Sequence, residues 1–437
     1  IIWATDFTET TTVSGGGKGS KPKPKTTEYS YPVNLAIAIC EGEITRVGRI
    51  WADGEEVARD DLNLRVYTGS ADQLPDPVME AVEGAGQVPA YRGMAYVVME
   101  DLALETFGNR VPQFSFEVIR PEQPDAAGYQ DAPSIGVEGV ALIPGTGEYA
   151  LAVTPVTVNA EDGETRSANV STPAGKSDFS VSLETLTEEL PNLQAASLVV
   201  SWFGSDLRCS ECRVQPKVES AEYGGQNMPW SVAGVSRSGA EVIAQNGGRP
   251  IYGGTPTDRS VIEAIQAMRA AQKAVMFYPF ILMDQQDGNS LPDPYSEATT
   301  QPALPWRGRI TLSKAPGQAG SPDGTAAAEA EVDAFFGTVT AADFVVNGET
   351  VSYSGPQEWT LSRFILQYAA LCQAAGGVEA FCIGSEMRGI TQIRAAGDQF
   401  VAVARLRALA AEVRQLVGPQ TKISYAADWS EYFGYQP

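Results

Sequence analysis

Residues 378–389 read VEAFCIGSEMRG, an apolar run that ends at Gly384 and Ser385 and is followed by one carboxylate, Glu386. Such a run is typical of a strand that is covered on both faces. A carboxylate at the carboxyl end of a barrel strand is where barrel enzymes place catalytic groups. The same pattern also occurs where an ordinary α/β protein passes from strand into loop, so the flanking sequence has to decide between the two.

Strand-like and helix-like segments alternate from about residue 181 to the end of the sequence. The strand-like runs are 197–203, 274–283, 378–383 and 422–429, with a weaker one at 231–236, and the helix-like segments are 261–268, 358–372 and 400–417. Asp258 is a candidate cap for the first helix. This alternation predicts parallel strands joined by crossover helices. We expect the first five strands of an eight-stranded barrel; an open doubly wound sheet is the alternative, but no dinucleotide or P-loop motif follows a strand.

The first third of the sequence has a different pattern, with short alternating runs instead of helices. Leu35, Ile37 and Ile39 alternate with smaller or polar residues, and Asp53-Gly54 is a hairpin signal. The predicted fold is therefore multidomain, β followed by α/β. Its predicted parts are a flexible basic loop at 1–27, a β-rich domain at 28–120, a linker at 121–135, a short β segment at 136–180, and the first part of a barrel at 181–437, cut before completion.

The composition restricts the functional classes. The 437 residues carry a net charge of −23, which argues against a broad nucleic-acid surface. The sequence contains no histidine, so it excludes Ser-His-Asp, Cys-His and histidine-ligated metal chemistry. No apolar run is long enough to cross a bilayer. The sequence begins without Met and both ends look like cuts within a longer protein.

Two short segments have local compositions that suggest a role. Cys209 and Cys212 have the spacing of a metal half-site or redox pair, but no second pair or histidine is present, so we expect a reduced or locally bridged pair, no metal site and no cofactor. The segment SGGGKGSKPKPKTT (14–27) is rich in Gly, Lys and Pro. It is either a plain linker or a basic arm that contacts an acidic neighbour.

Aromatic and acidic residues follow several of the predicted strands. They are Trp202, Asp206, Tyr278, Glu386, Asp428 and Trp429, and Trp306-Arg307 in the long insert 284–357 could line the same groove. In a barrel these strand ends converge, and rings with carboxylates suit a sugar ligand. The alternative is that Trp202 and Tyr278 belong to the core and that the acids cap helices.

The sequence also resembles a known family through a series of motifs in order. YSYPVNLAIAICEGEI, LRVYTGSADQLPDP and FGNRVPQFSFEV resemble the hub portion of the large tail-tip protein of gene transfer agents and siphophages. VMFYPFILMD, PWRGRI, EAFCIGSEMRG and ISYAADWSEYFGYQP resemble its barrel domain. The resemblance implies a baseplate component at the tip of the particle tail. Implied partners are further copies in a homotrimer, the distal tail protein and other hub proteins, with DNA as transported cargo.

The resemblance extends to glycoside hydrolases whose fourth barrel strand ends in the acid/base glutamate, a position that Glu386 occupies. Such enzymes usually have Asn or Thr before that glutamate, where this sequence has Ser385. Their nucleophile lies on a later strand. The resemblance therefore implies two functions, a structural tail-tip component or a retaining glycosidase that acts on a host cell-surface or cell-wall glycan.

Overall fold

The structure is a computed structural model that describes residues 1–7, 9–14, 26–120, 122, 127–159 and 164–433. The chain divides into two compact units. The first contains Ile1–Val137, Thr172–Gly175 and Glu184–Asn192, and the second contains Glu138–Ser171, Lys176–Leu183 and Leu193–Pro437. Residues 15–25, which include the predicted basic arm, lie outside the described residues, as do 121 and 123–126 of the predicted linker.

The first unit is built mainly from antiparallel strands. Its elements are β1 (Trp3–Ala4), β2 (Thr10–Ser14), β3 (Thr26–Ser30), β4 (Pro32–Glu41), β5 (Arg46–Ala52), β6 (Glu55–Val57), β7 (Leu64–Tyr67), α1 (Pro77–Glu83), β8 (Met94–Ala103), β9 (Phe114–Ile119) and α2 (Pro133–Gly136), with 3-10 turns at Arg59–Leu62, Leu104–Phe107 and Tyr129–Asp131. The sheets have the orders β1-β4-β8-β7 and β6-β5-β9, and β2 pairs with β3. The prediction of a loop throughout 1–27 is therefore wrong, because this range contains β1, β2 and the start of β3.

Strand β8 shows how the first unit forms two apolar clusters. Val97 and Met99 pack with β4 and β5, whereas Tyr96 and Val98 pack on the opposite side with Met79 of α1. This follows from the alternation of side chains along a strand. The predicted hairpin at Asp53-Gly54 is confirmed, because both residues have positive φ values, 53° and 91°, between β5 and β6.

The second unit combines a parallel sheet with helices and several small hairpins. Its elements are β10 (Gly139–Gly145), β11 (Thr157–Asn159), β12 (Thr165–Ser167), α3 (Asp178–Glu189, shared with the first unit), β13 (Ala195–Gly204), β14 (Val214–Gln215), β15 (Lys217–Val218), β16 (Ser231–Val232), β17 (Val235–Ser236), β18 (Glu241–Val242), β19 (Gln245–Asn246), β20 (Arg249–Pro250), α4 (Asp258–Ala270), β21 (Ala274–Met283), α5 (Ala326–Phe336), β22 (Phe344–Asn347), β23 (Thr350–Tyr353), α6 (Leu361–Ala374), β24 (Ala380–Ser385), α7 (Arg388–Thr391), α8 (Val401–Val417), β25 (Lys422–Ala426) and α9 (Trp429–Phe433). Three 3-10 turns lie at Arg237–Gly239, Arg307–Arg309 and Ala341–Asp343.

Five parallel strands, in the order β10-β13-β21-β24-β25, form the sheet that positions the candidate site. Helices α4, α6 and α8 contribute buried residues to the same apolar core as these strands. Each connection is long enough for a crossover, as parallel neighbours require. We call the carboxyl ends of these strands, together with the loops that follow them, the mouth.

Two predictions for this unit differ from the structure, one boundary of the barrel and one strand. The first barrel-like strand is β10, which lies inside the segment 136–180 that was predicted to be separate. The run 231–236 is not part of the sheet: it forms the hairpin of β16 and β17, in which Ala233 and Gly234 have φ values of 54° and 82°. Two successive residues with positive φ make a tight turn and cannot continue a strand.

Candidate functional site

Glu386 sits at the mouth because the backbone turns sharply after β24. Its φ is 52°, which is uncommon for a residue other than glycine, and its N–H donates to the carbonyl oxygen of Ala426 at 2.8 Å. The next amide, of Met387, donates to the hydroxyl oxygen of Tyr425 at 2.8 Å. Contacts from β25 thus hold both peptides that follow the strand and fix the direction in which the Glu386 side chain leaves the backbone.

Two donors from the long insert hold the Glu386 carboxylate. The indole N–H of Trp306 donates to its Oε2 at 2.8 Å, and the guanidinium of Arg307 forms an ion pair with the same oxygen at 2.8 Å. The Glu386 side chain is 37% exposed, whereas Arg307 is only 14% exposed. A side chain at Gly308 would collide with the Trp306 ring, so the glycine leaves the space that the indole needs. The insert therefore supplies the partners of this carboxylate.

Arg307 is itself fixed from three sides. It donates to the carbonyl oxygen of Ser385 at 3.0 Å and to its Oγ at 2.9 Å, and it lies 4.8 Å above the ring of Phe280. The hydroxyl of Tyr278 lies 2.6 Å from the same Ser385 Oγ. Burial lowers the pKa of Arg307, and the charge of Glu386 opposes that shift. The structure thus joins Tyr278, Ser385, Arg307 and Glu386 in one network.

The pairing restricts the chemistry that Glu386 can perform. A general acid has to carry and release a proton at the reacting oxygen. Here Oε2 already accepts a hydrogen bond from the Trp306 indole and lies 2.8 Å from the Arg307 guanidinium, so the approach to this oxygen is taken by two groups of the protein. The arrangement is suited to accepting hydrogen bonds and to fixing the insert over the strand end.

The other predicted site residues have separate roles in the structure. Asp428 accepts a hydrogen bond from the hydroxyl of Ser430 at 2.8 Å at the start of α9, and Trp429 is 78% exposed. Asp206 is buried, pairs with Arg208 at 2.6 Å and accepts from the Gln301 amide at 2.7 Å. Asp206 is therefore a structural tie between two loops of the mouth.

Trp202 does not reach the mouth. It is fully buried, with its ring 5.1 Å from Phe364 and 5.9 Å from Tyr368 of α6, measured between centroids. It shares its face of β13 with Leu198 and Val200, which also belong to the core between sheet and helices. The predicted role of Trp202 as a wall of a sugar site is therefore corrected: its position makes it a core residue.

No described residues form a recognisable metal centre. Among them, no group of three or more Cys, Asp or Glu side chains could hold a metal ion. Cys209 and Cys212 are free and buried, and burial raises the pKa of the Cys212 thiol to about 12 and that of Cys209 still further. Such thiols stay protonated at neutral pH and are poor nucleophiles.

A separate apolar groove of about 640 Å³ lies between α8 and β25. Ile383, Phe400, Leu406, Ile423 and Tyr425 contribute to its lining, and Glu386 is not among the lining residues. No helix in the described part of the chain is long and apolar enough to cross a membrane. The groove and the Glu386 network are thus distinct features of the second unit.

A comparison of this sequence with family models gives one match near the end of the sequence. Residues 359–437 match the GTA TIM-barrel-like domain. This match begins just before α6 and includes β24 and β25, so Glu386 lies within the matched residues. The barrel-like character that the strand and helix pattern indicated is confirmed for residues 359–437.

Solved structures give further matches. A chain of the virion of a native gene transfer agent (GTA) particle is 53% identical over 33% of this chain and 29% of that chain, with a TM-score of 0.27. The resemblance to gene transfer agent proteins is thereby confirmed. The GH113 β-mannanase AaManA from Alicyclobacillus acidocaldarius, in complex with ManMIm, matches at 13% identity over 67% of this chain and 55% of that chain (TM-score 0.30). Another GH113 β-1,4-mannanase matches at 13% identity over 59% and 52% (TM-score 0.27).

The matched regions span less than a third of the virion chain and about half of the mannanase chains. None of the curated proteins matches this sequence significantly.

Proposed function

We propose that the chain is a structural component of the baseplate or tail tip of a gene transfer agent or siphophage-like particle. The observation that carries this proposal is the 53% identity to a chain of a gene transfer agent virion. The match of residues 359–437 to the GTA TIM-barrel-like domain also supports it. In this function the protein closes the distal end of the tail and supports host attachment and DNA delivery.

The β-rich first unit is the part that we assign to the hub. Its antiparallel sheets are small, at four and three strands, and small sheets gain stability from packing against neighbours. The proposed partners are two further copies in a homotrimer, the distal tail protein and other baseplate proteins. A glycan on the host surface is a further proposed contact, and the proposed location is the tail tip of the released particle.

Particle fractionation tests this function. We expect a tagged full-length protein to sediment with DNA-containing particles, and labelled antibody to mark the end of the tail that is distal to the head. Deletion of the gene should yield particles that do not deliver DNA. A protein that stays at the top of the gradient while particles assemble and deliver DNA normally would contradict the proposal.

The enzymatic alternative, a retaining glycosidase, requires a second carboxylate about 5 Å from the acid/base. Carboxylates at the neighbouring strand ends have other partners, Asp206 with Arg208 and Asp284 with Lys217. Glu386 itself is paired with Arg307. All three carboxylates are therefore paired with cations of the protein, an arrangement that supports the structural function.

Replacing Glu386 with Gln tests the two functions directly. Because this carboxylate is partly exposed and its pair with Arg307 is therefore partly hydrated, we expect the free energy of unfolding to change by about 1 kcal/mol or less. DNA delivery by particles that carry Glu386→Gln should equal that of wild type, as should delivery by an Asp398→Asn control on the surface. Loss of delivery together with loss of glycan cleavage by intact particles would instead favour the glycosidase.

A further inference from the structure

The turn between β16 and β17 is held by a buried polar network. Ala233 lies in the left-handed region, with φ of 54°, which costs about 1 kcal/mol or more for a residue with a side chain. Its N–H donates to Oδ2 of Asp258 at 2.9 Å, and its carbonyl oxygen accepts from Arg363 at 2.9 Å. Side chains from α4 and α6 thus form hydrogen bonds with both the backbone N–H and the carbonyl oxygen of this strained residue.

Gln367 links the acidic and basic sides of this network. Its Nε2 donates to Asp258 Oδ2 at 3.1 Å, and its Oε1 accepts from Arg363 at 2.9 Å. Arg363 is buried and lies 3.4 Å from the ring centroid of Tyr353 in β23. Arg363 and Asp258 are therefore connected by hydrogen bonds through Gln367 and Ala233. The guanidinium nitrogens and the Asp258 carboxyl oxygens are not within 4 Å of each other.

The position of Asp258 differs from its predicted role. Thr257 occupies the cap position of α4, and its hydroxyl donates a hydrogen bond to the carbonyl oxygen of Ser231 at 3.0 Å. Asp258 is the first helical residue, and its Oδ1 is buried without a hydrogen-bond partner among the described residues. A buried carboxyl oxygen without a donor is costly when the group is ionised and much less so when it is protonated.

We propose that Asp258 and Arg363 form a proton-operated clamp on the Ala233-Gly234 turn, closed most tightly when Asp258 is protonated. Deprotonation leaves a half-buried carboxylate whose Oδ1 is inaccessible to water and has no hydrogen-bond donor among the described residues. Opening of the β16–β17 hairpin lets water reach that oxygen. The hairpin belongs to the segment between β13 and α4 at the mouth, so the clamp sets how readily this segment opens with pH.

The charged groups around Asp258 act in opposite directions. The positive end of α4 and the charge of Arg363 favour the carboxylate, whereas burial disfavours it. Burial is the largest effect and raises the pKa of Asp258 from 3.8 to about 7. Tyr368 of α6 also faces Asp258, and Arg363 is faced by Asp343 of the 3-10 turn Ala341–Asp343 and by Tyr353 of β23. On α4 itself, Arg259 pairs with Glu263 and Glu349.

The sign of the pH effect follows from the raised pKa. In an opened form Asp258 has the ordinary pKa of an aspartate, whereas in the closed form its pKa is raised. The closed form therefore binds the proton more tightly, and protonation stabilises it. That stabilisation is complete when the pH is below the ordinary pKa of 3.8, and it is lost as the pH rises to about 7. The clamp should therefore loosen from acidic pH up to neutrality and stay unchanged above it.

Hydrogen exchange of the full-length protein tests the clamp. Protection of peptides that contain 231–236, corrected for the intrinsic exchange rate, should fall about tenfold or more between about pH 5 and pH 7 and level off above that. Asp258→Asn should remove this pH dependence, because the amide keeps the size of the side chain and does not titrate. Asp287→Asn, at an exposed position, should retain the wild-type profile.

Two results would overturn the proposal. One is a wild-type profile that is flat between these pH values, and this result decides the matter even if Asp258→Asn fails to fold. The other is an unchanged pH dependence in a folded Asp258→Asn protein, which would assign the titration to another group.

Discussion

Replacing Lys217 with Met is expected to lower the free energy of unfolding of the second unit by about 3–5 kcal/mol. The ammonium group lies 3.0 and 2.9 Å from the two carboxylate oxygens of Asp284, and the two side chains are only 9% and 5% exposed. Met fills the space of the lysine stem but leaves the buried Asp284 side chain without its cationic partner. This pair joins β15 to the end of β21, so its loss should loosen the loops of the mouth.

Two further variants separate this effect from a general loss of charge. Lys217→Met combined with Asp284→Leu removes both charges and should recover most of the stability, because a buried ion pair contributes little compared with well-packed apolar groups. Lys314→Met breaks the exposed pair with Glu297, at 2.8 Å, and should cost about 1 kcal/mol or less. Urea unfolding followed by tryptophan fluorescence measures all three. Equal losses for Lys217→Met and Lys314→Met would contradict the prediction.

The parallel sheet could be predicted where its strands are covered on both faces. The runs that became β13, β21 and β24 are nearly continuous in apolar residues, as burial from both sides requires. Strand β10 escaped detection because it lies at the edge of the sheet, where Ile143 is exposed, and because Pro144 and Gly145 end it. A pattern based on buried runs cannot find a strand that is only half covered.

The false strand at 231–236 has a specific cause. Val232 and Val235 made the run look like a strand, but they flank a two-residue turn and pair with each other across it. Ala233 adopts a positive φ there, which alanine seldom does, and it is held in place by Asp258 and Arg363. These partners lie 25 and 130 residues further along the chain, so no local pattern could have predicted the turn.

The sequence predicted the members of the Glu386 network better than their pairing. Glu386, Tyr278 and the Trp306-Arg307 segment were all expected near one groove. That Trp306 and Arg307 hold Glu386 itself depends on how the insert folds back over a strand 80 residues away. The buried position of Trp202 could have been predicted from the sequence, because Trp202 is separated from Leu198 and Val200 by even numbers of residues along β13. Side chains of equal parity share one face of a strand.

Replacing Trp202 with Ala is expected to lower the free energy of unfolding by about 3–5 kcal/mol, as for other large aromatic residues removed from a core. The indole packs between β13 and α6, with Trp359, Phe364 and Tyr368 around it, so its removal leaves a cavity in the core. Trp202→Phe should cost considerably less, because Trp202 Nε1 has no hydrogen-bond partner among the described residues. Urea unfolding followed by circular dichroism measures both changes.

Trp429→Ala is the matched control, since both tryptophans follow the same sequence pattern but Trp429 is 78% exposed. Its removal should change the free energy of unfolding by about 0.5 kcal/mol or less. Binding of a host glycan by intact particles separates the two positions further: only an exposed ring can stack on a sugar, so Trp429→Ala, and not Trp202→Phe, should weaken it. If Trp202→Ala left stability unchanged while abolishing glycan binding, Trp202 would line an open site, contrary to its position in the core.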